Sequence, residues 1–153
     1  MSEWNAFDHF RVGLIRLRDG QPAEALPHIE RAAQLELDNP FYLSYLGLVR
    51  AMTQERWADG EQLCSAAIKR KRTHPQLYLN LAEVYLRAGR KQDAVETLTS
   101  GLIFTNHDAS LRRALGRLGR RRRPVLPFLD RGHFLNRALG RVRHRMRVIV
   151  HAA

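Results

Sequence analysis

A pattern of small and apolar residues recurs every 34 or 35 positions through the first two thirds of the chain. Gly13, Gly47 and Ala82 are spaced 34 and 35 apart, and Val12, Leu46 and Leu81 precede them one for one. Ala25, Gly60 and Ala94 recur at 35 and 34, as do Ala32, Ala67 and Gly101. Pro40 and Pro75, also 35 apart, each open a unit. A unit of this length cannot bury its apolar side alone. It has to stack on its neighbours, so that the core runs from one unit into the next.

Each unit reads as two helices. Pro40 follows Asn39 and Pro75 follows His74, and proline in a first helical turn after a polar residue marks a helix start. Gly20 and Gly89 fall between the two helices of their units, where the chain must turn sharply. The second unit has Gln54-Glu55-Arg56-Trp57 there, with one extra residue, which predicts a longer loop. Leu77, Leu81, Val84 and Tyr85 follow helical spacing. The small residues have a packing reason, because two helices cross closely only where side chains are short. Ile29 and Leu98 are expected to fill the space alongside.

At these residues the sequence resembles the tetratricopeptide repeat (TPR) family. The matching features are Val12-Gly13, Leu46-Gly47 and Leu81-Ala82, Tyr85, the turn glycines, Ala25 and Ala94, and Ala32, Ala67 and Gly101. The third repeat is closest to the pattern. Arg16 and Arg50 stand where an aromatic is usual, and Gly60 where alanine is usual. The resemblance implies an all-α fold, a right-handed α-solenoid of antiparallel helix pairs, with repeats at about 6–39, 40–74 and 75–108. It also implies a concave groove lined by the first helix of each repeat, with Phe7, Phe10, Leu14, Leu17, Phe41, Ser44, Leu48, Asn80 and Glu83 as candidate lining residues. The family's groove for C-terminal carboxylates uses lysine, arginine and asparagine, and here Asn80 and Arg87 are the counterparts.

Residues 108–121 fall where a fourth repeat would begin, and Leu115-Gly116 lies 34 residues after Leu81-Ala82. Leu111, Leu115 and Leu118 make one apolar side, with arginines on the rest. A repeat array needs a terminal helix with a polar outer face, so this segment reads as the cap of a domain spanning 1–121.

The net charge of +11 has a location. Through Thr105 there are 13 basic and 13 acidic residues. From Asn106 onward there are 13 arginines, no lysine, and only Asp108 and Asp130 as acids. Such a one-ended excess suggests an anionic partner, and arginine favours bidentate contact with phosphate or carboxylate. Arg113, Arg117, Arg120, Arg121, Arg122, Arg123, Arg137, Arg141 and Arg145 are the candidate anion contacts. In the tail, 122–153, Pro124 and Pro127 prevent helix continuation, so Val125, Leu126, Phe128 and Leu129 are expected in an extended segment. A basic amphipathic helix is expected beyond it, with Phe134, Leu135, Leu139 and Val142 on its apolar stripe. That stripe and the extended apolar residues could be anchored on the repeats, on a partner protein or on an anionic membrane surface.

Signatures of chemistry are sparse. The sequence has no glycine-rich phosphate loop, no HExxH and no CxxC, and its seven histidines are scattered singly. No cofactor, metal or small-molecule substrate is expected. The single cysteine, Cys64, excludes an internal disulfide and reads as a buried thiol. Glu30, Glu36, Asp59 and Glu61 are expected on outer faces, serving solubility. The N-terminus does not read as a secretory signal, no apolar run reaches the ~20 residues of a membrane span, and a cytoplasmic setting is the expectation. Two functions follow. One is a non-enzymatic scaffold or adaptor that binds a protein, peptide or helix in the groove, with the basic tail adding contacts. The other is a nonspecific anion binder, for nucleic acid or an acidic membrane, acting through the arginines.

Overall fold

A computed structural model of the chain describes residues 4–119, which form seven helices and no strand. They run α1 (Ala6–Arg18), α2 (Pro22–Leu35), α3 (Pro40–Gln54), α4 (Trp57–Arg70), α5 (Pro75–Arg87), α6 (Lys91–Phe104) and α7 (Ala109–Leu118). Each helix packs on the next, and α3 also packs on α5, as α5 does on α7. This is an all-α solenoid of helix pairs closed by a single helix.

The helix starts follow from local chemistry. Asn5 Oδ1 accepts from Asp8 N at 2.9 Å, and the Asp8 carboxylate accepts from Asn5 N at 3.4 Å, a reciprocal cap for α1. Asn39 Oδ1 accepts from Phe41 N at 3.0 Å, ahead of Pro40 in the first turn of α3. Asp108 Oδ1 accepts from Ser110 N at 2.8 Å and caps α7.

The helix ends explain the second repeat. In the first and third, Gln21 N donates to Arg16 O and Arg90 N to Tyr85 O, both at 2.8 Å, around Gly20 and Gly89 at φ +75° and +74°. Glu55 takes the same place relative to the following helix and adopts φ +53° without being glycine. The inter-helix turn is therefore no longer than in the other repeats, contrary to the expectation of a longer loop. The extra residue lies inside α3, which has 15 residues where α1 and α5 have 13.

The small residues mark close crossings. A Cβ on Gly47 would sit 2.8 Å from the Gly60 carbonyl oxygen, and a Cβ on Gly60 the same distance from that of Gly47. Backbone therefore meets backbone where α3 crosses α4. Ile29, Leu77, Leu98 and Leu111 are fully buried and supply the bulk that the crossings lack.

Two expectations about surface charge are corrected. Glu30 accepts from Arg50 Nη2 at 2.9 Å, with both side chains mostly covered. Glu61 accepts from Tyr85 Oη at 2.9 Å and from Arg90 Nη1 at 2.6 Å. Both carboxylates thus join successive repeats instead of serving solubility alone. Arg50 and Tyr85 occupy the same repeat position, and the longer arginine reaches an acid one helical turn further along. At the far end, α7 stops at Leu118, where Gly119 takes φ +67°. Residues 120–153 lie outside the described residues. With them go the expected extended segment, the amphipathic helix and its anchors Val125, Leu126, Phe128, Leu129, Phe134, Leu135, Leu139 and Val142, and Arg120, Arg121, Arg122, Arg123, Arg137, Arg141 and Arg145. No described helix is long and apolar enough to cross a membrane.

Candidate interaction groove

The first helices of the repeats and α7 present one common side, and a trough runs along it. At the α1 end, Leu14, Leu17 and Arg18 face Tyr45, Leu48 and Met52 of α3, with Gln76, Asn80, Glu83 and Arg87 of α5 behind them, around a cleft of about 350 Å³. At the α7 end, Leu79, Ala82 and Leu86 of α5 face Ala114, Arg117 and Leu118 around a cleft of about 360 Å³. Leu48, Gln76, Asn80 and Glu83 border both, so the two clefts adjoin along α5.

Its polar groups are largely committed to one another. Asn80 is 2% exposed. Its Nδ2 donates to Ser44 Oγ at 3.0 Å, and its Oδ1 accepts from Gln76 Nε2 at 2.8 Å. Ser44 is itself fully buried, so it belongs to the wall and not to the lining. Arg87 Nε donates to Glu83 Oε1 at 2.8 Å, which neutralises both within one turn of α5. What remains open along the trough is apolar, with Arg18 at one end and Arg117 at the other.

The structure separates the expected groove residues. Leu14, Leu17, Leu48, Asn80, Glu83 and Arg87 border the trough. Phe10 does not, because its ring turns inward, 4.7 Å from the Tyr42 ring and 5.3 Å from the Tyr45 ring, and fills the space between α1 and α3. Phe7 is 62% exposed and borders neither cleft. Phe41 sits at the start of α3, outside the trough. There it lines a shallow depression with Pro40, Arg70 and Lys71, meets the His74 ring edge-on, and lies 5.0 Å from Lys71 Nζ. Tyr45, Met52, Gln76, Leu79 and Leu86 also border the trough and fall outside the expected set. Carrying the repeat register across reaches all five: Tyr45 aligns with Asn80, Met52 with Arg87, Gln76 with Phe7 and Phe41, Leu79 with Phe10 and Ser44, and Leu86 with Leu17.

Cys64 is fully buried beneath Ser44, and burial pushes its thiol up to about 12. A thiol so rarely ionised is a poor nucleophile. Among the described residues no three His, Cys, Asp or Glu side chains converge on a metal-sized site.

Helix pairs on a 34–35-residue register, with first helices lining one trough, recur in known proteins. Two tetratricopeptide repeat models match the sequence, over residues 10–75 and 51–118. The chain belongs to the tetratricopeptide repeat family. Solved TPR structures share its fold. The first TPR of Spaghetti (RPAP3), bound to the HSP90 peptide SRMEEVD, is 14% identical with a TM-score of 0.60, over 74% of this chain and 92% of its own. YrrB, a TPR protein with an unusual peptide-binding site, is 18% identical with a TM-score of 0.62, over 76% of this chain and 59% of its own. PcrH, in complex with the chaperone binding region of PopB, is 18% identical with a TM-score of 0.59, over 78% of this chain and 95% of its own. No curated protein matches the sequence of this TPR chain.

Proposed function

We propose that this TPR protein is a non-enzymatic scaffold whose trough holds an apolar peptide segment or the apolar side of a helix. One observation carries the reading. Asn80, Gln76, Glu83 and Arg87 satisfy each other along the trough, and its open surface between the end arginines is Leu14, Leu17, Met52, Leu79 and Leu86, with Leu48 nearly covered at its floor. Burying that surface would supply roughly 25 cal/mol per Å² of apolar area. The TPR neighbours solved with a peptide and with a chaperone binding region support a peptide or protein ligand. Capture of a C-terminal carboxylate is disfavoured, because Arg87 is already paired with Glu83 and Asn80 is covered. In this reading the arginine-rich sequence from residue 122 onward adds contacts to acidic flanks of the partner.

The test is selection of peptides from a random library on the purified full chain, followed by binding to Leu17→Glu/Met52→Glu. Selected peptides should be rich in aliphatic and aromatic residues, keep their affinity when the C-terminus is amidated, and lose at least about tenfold on the double variant, since one buried aliphatic side chain is worth about that much. Peptides that bind the variant unchanged, or that need a free carboxylate, would overturn the reading.

A further inference from the structure

Arginines are handled differently before and on α7. Ten arginines precede it, and eight of them (all but Arg31 and Arg72) form ion pairs with Asp or Glu. The three on α7, Arg112, Arg113 and Arg117, are all exposed, and none has an acidic partner among the described residues. Asp108, the acid nearest in sequence, is taken up by the cap. Its Oδ1 accepts from Ser110 N and Oγ and from Leu111 N, and those bonds, with a smaller contribution from the Arg113 charge, hold its carboxyl below the usual range. The repeat array therefore pairs most of its own guanidinium groups up to α7, and within the described residues it forms no ion pair with those of α7.

The other side of α7 narrows the choice of partner. Leu111 is fully buried and Leu115 is 8% exposed, both in the core of the third repeat. With Leu111 and Leu115 in the core and only Ala114 and Leu118 partly open beside the trough, α7 has no continuous apolar stripe to lay into a bilayer interface, where basic amphipathic helices anchor. Its outer face offers charge and donors. Arg113 and Arg117, four residues apart, share a side of the helix at about 6 Å along its axis. The guanidinium fork suits phosphate oxygens. Just before α7, Phe104 is 44% exposed, and the Arg72 guanidinium lies 5.8 Å from its ring centroid. An exposed ring beside a cation is a surface on which a base can stack.

We infer that the outer face of α7, through Arg112, Arg113 and Arg117, binds the phosphate backbone of a nucleic acid without reading its sequence. This face shares only Arg117 with the trough, since Arg112 and Arg113 do not border it.

The test uses the full chain and a fluorescein-labelled single-stranded RNA of about 20 nucleotides, with anisotropy read from about 50 to about 200 mM salt, the range over which phosphate contacts lose most affinity. Each phosphate contact on a single strand contributes about 0.7 to the slope of log K against log salt. Arg112→Gln/Arg113→Gln should flatten the slope by about 1.4 and remove about sevenfold of the affinity lost over that range, with an unchanged thermal melt. Arg112→Lys/Arg113→Lys should keep the wild-type slope, because the charge remains. The inference fails if wild type does not bind RNA at the lowest salt, or if the glutamine variant keeps the wild-type slope. Co-sedimentation with phosphatidylserine vesicles in the absence of RNA binding would equally overturn it, in favour of a lipid surface. Leu17→Glu/Met52→Glu should bind RNA normally, so failure of the groove reading leaves this result intact.

Discussion

The two joints between successive repeats use the same pair of positions and fill them with opposite chemistry. At the first joint, Phe10 of α1 meets Tyr45 of α3, ring against ring at 5.3 Å. At the second, the aligned residues are Ser44 of α3 and Asn80 of α5, hydroxyl against amide at 3.0 Å. Shape follows. The aromatic wedge separates α1 from α3, while the small serine lets α3 pack directly on α5. The wider joint opens the trough at the α1 end, and the tighter one closes it over Asn80. Two bulky rings hold a joint by apolar area, which tolerates small shifts. A buried hydroxyl–amide pair requires one register, because a displaced partner leaves a polar group unsatisfied in the core.

Removing the wedge should do the most damage. Phe10→Ala should destabilise the chain by about 3 kcal/mol in urea unfolding, because nothing else fills the gap between α1 and α3. Asn80→Ala should cost about 2 kcal/mol, leaving Ser44 and Gln76 short of a partner. Completing the cycle with Ser44→Ala should show coupling of about 1 kcal/mol, and additive single effects would mean that the polar pair does not hold the joint. Next come the outer ties. The Tyr85 phenol is pushed up to about 12, by burial first and then by its bond to Glu61. Tyr85→Phe removes that bond and should cost about 1 kcal/mol. Arg50→Met, at the same position of the first joint, should change the melting temperature less, since a partly exposed ion pair is worth little.

The smallest effect is set by pH. His28 stacks on Trp4 and shares a 3.3 Å contact between Nδ1 atoms with His9. Burial first, then His9 and Arg16, hold its pKa below the ordinary 6.5. Burial and Lys71 do the same for His74 at the second joint. Both rings therefore bind protons more readily unfolded than folded. Their contribution is full above pH 6.5 and is lost as pH falls toward the folded values. Melting temperature should drop modestly between about pH 7 and pH 5, and His28→Gln should flatten part of that drop. A melting temperature that rises on acidification would contradict the assigned direction.

The trough was legible in the sequence only where a repeat position maps straight to a wall. Leu14, Leu48 and Glu83 share one position in the three first helices, and all border it. Phe7, Phe41 and Gln76 share another, yet the glutamine borders the trough and the two aromatics do not. A third position holds Phe10, Ser44 and Leu79, which serve in turn as a wedge, a buried hydrogen-bond partner and a trough wall. Which role a side chain takes depends on how far apart the neighbouring helices stand. That spacing is set by residues on another helix, so periodicity within one helix does not reveal it.

Repeat length, the all-α class and the places where helices must cross or turn could all be read along the chain, because they are local necessities. A crossing needs a missing side chain, as at Gly47 and Gly60, and a turn needs positive φ, as at Gly20 and Gly89. Other outcomes came only with packing. It placed Glu55 in the left-handed turn without glycine and turned Glu30 and Glu61 from surface charges into ties between repeats. It buried Asn80 against Ser44, and it left Arg112 and Arg113 without an acidic partner among the described residues. The ties and the buried pair each rely on a partner brought close from 20 or more residues away. The energy of a polar group is set by what stands next to it, and that neighbour is chosen by the fold.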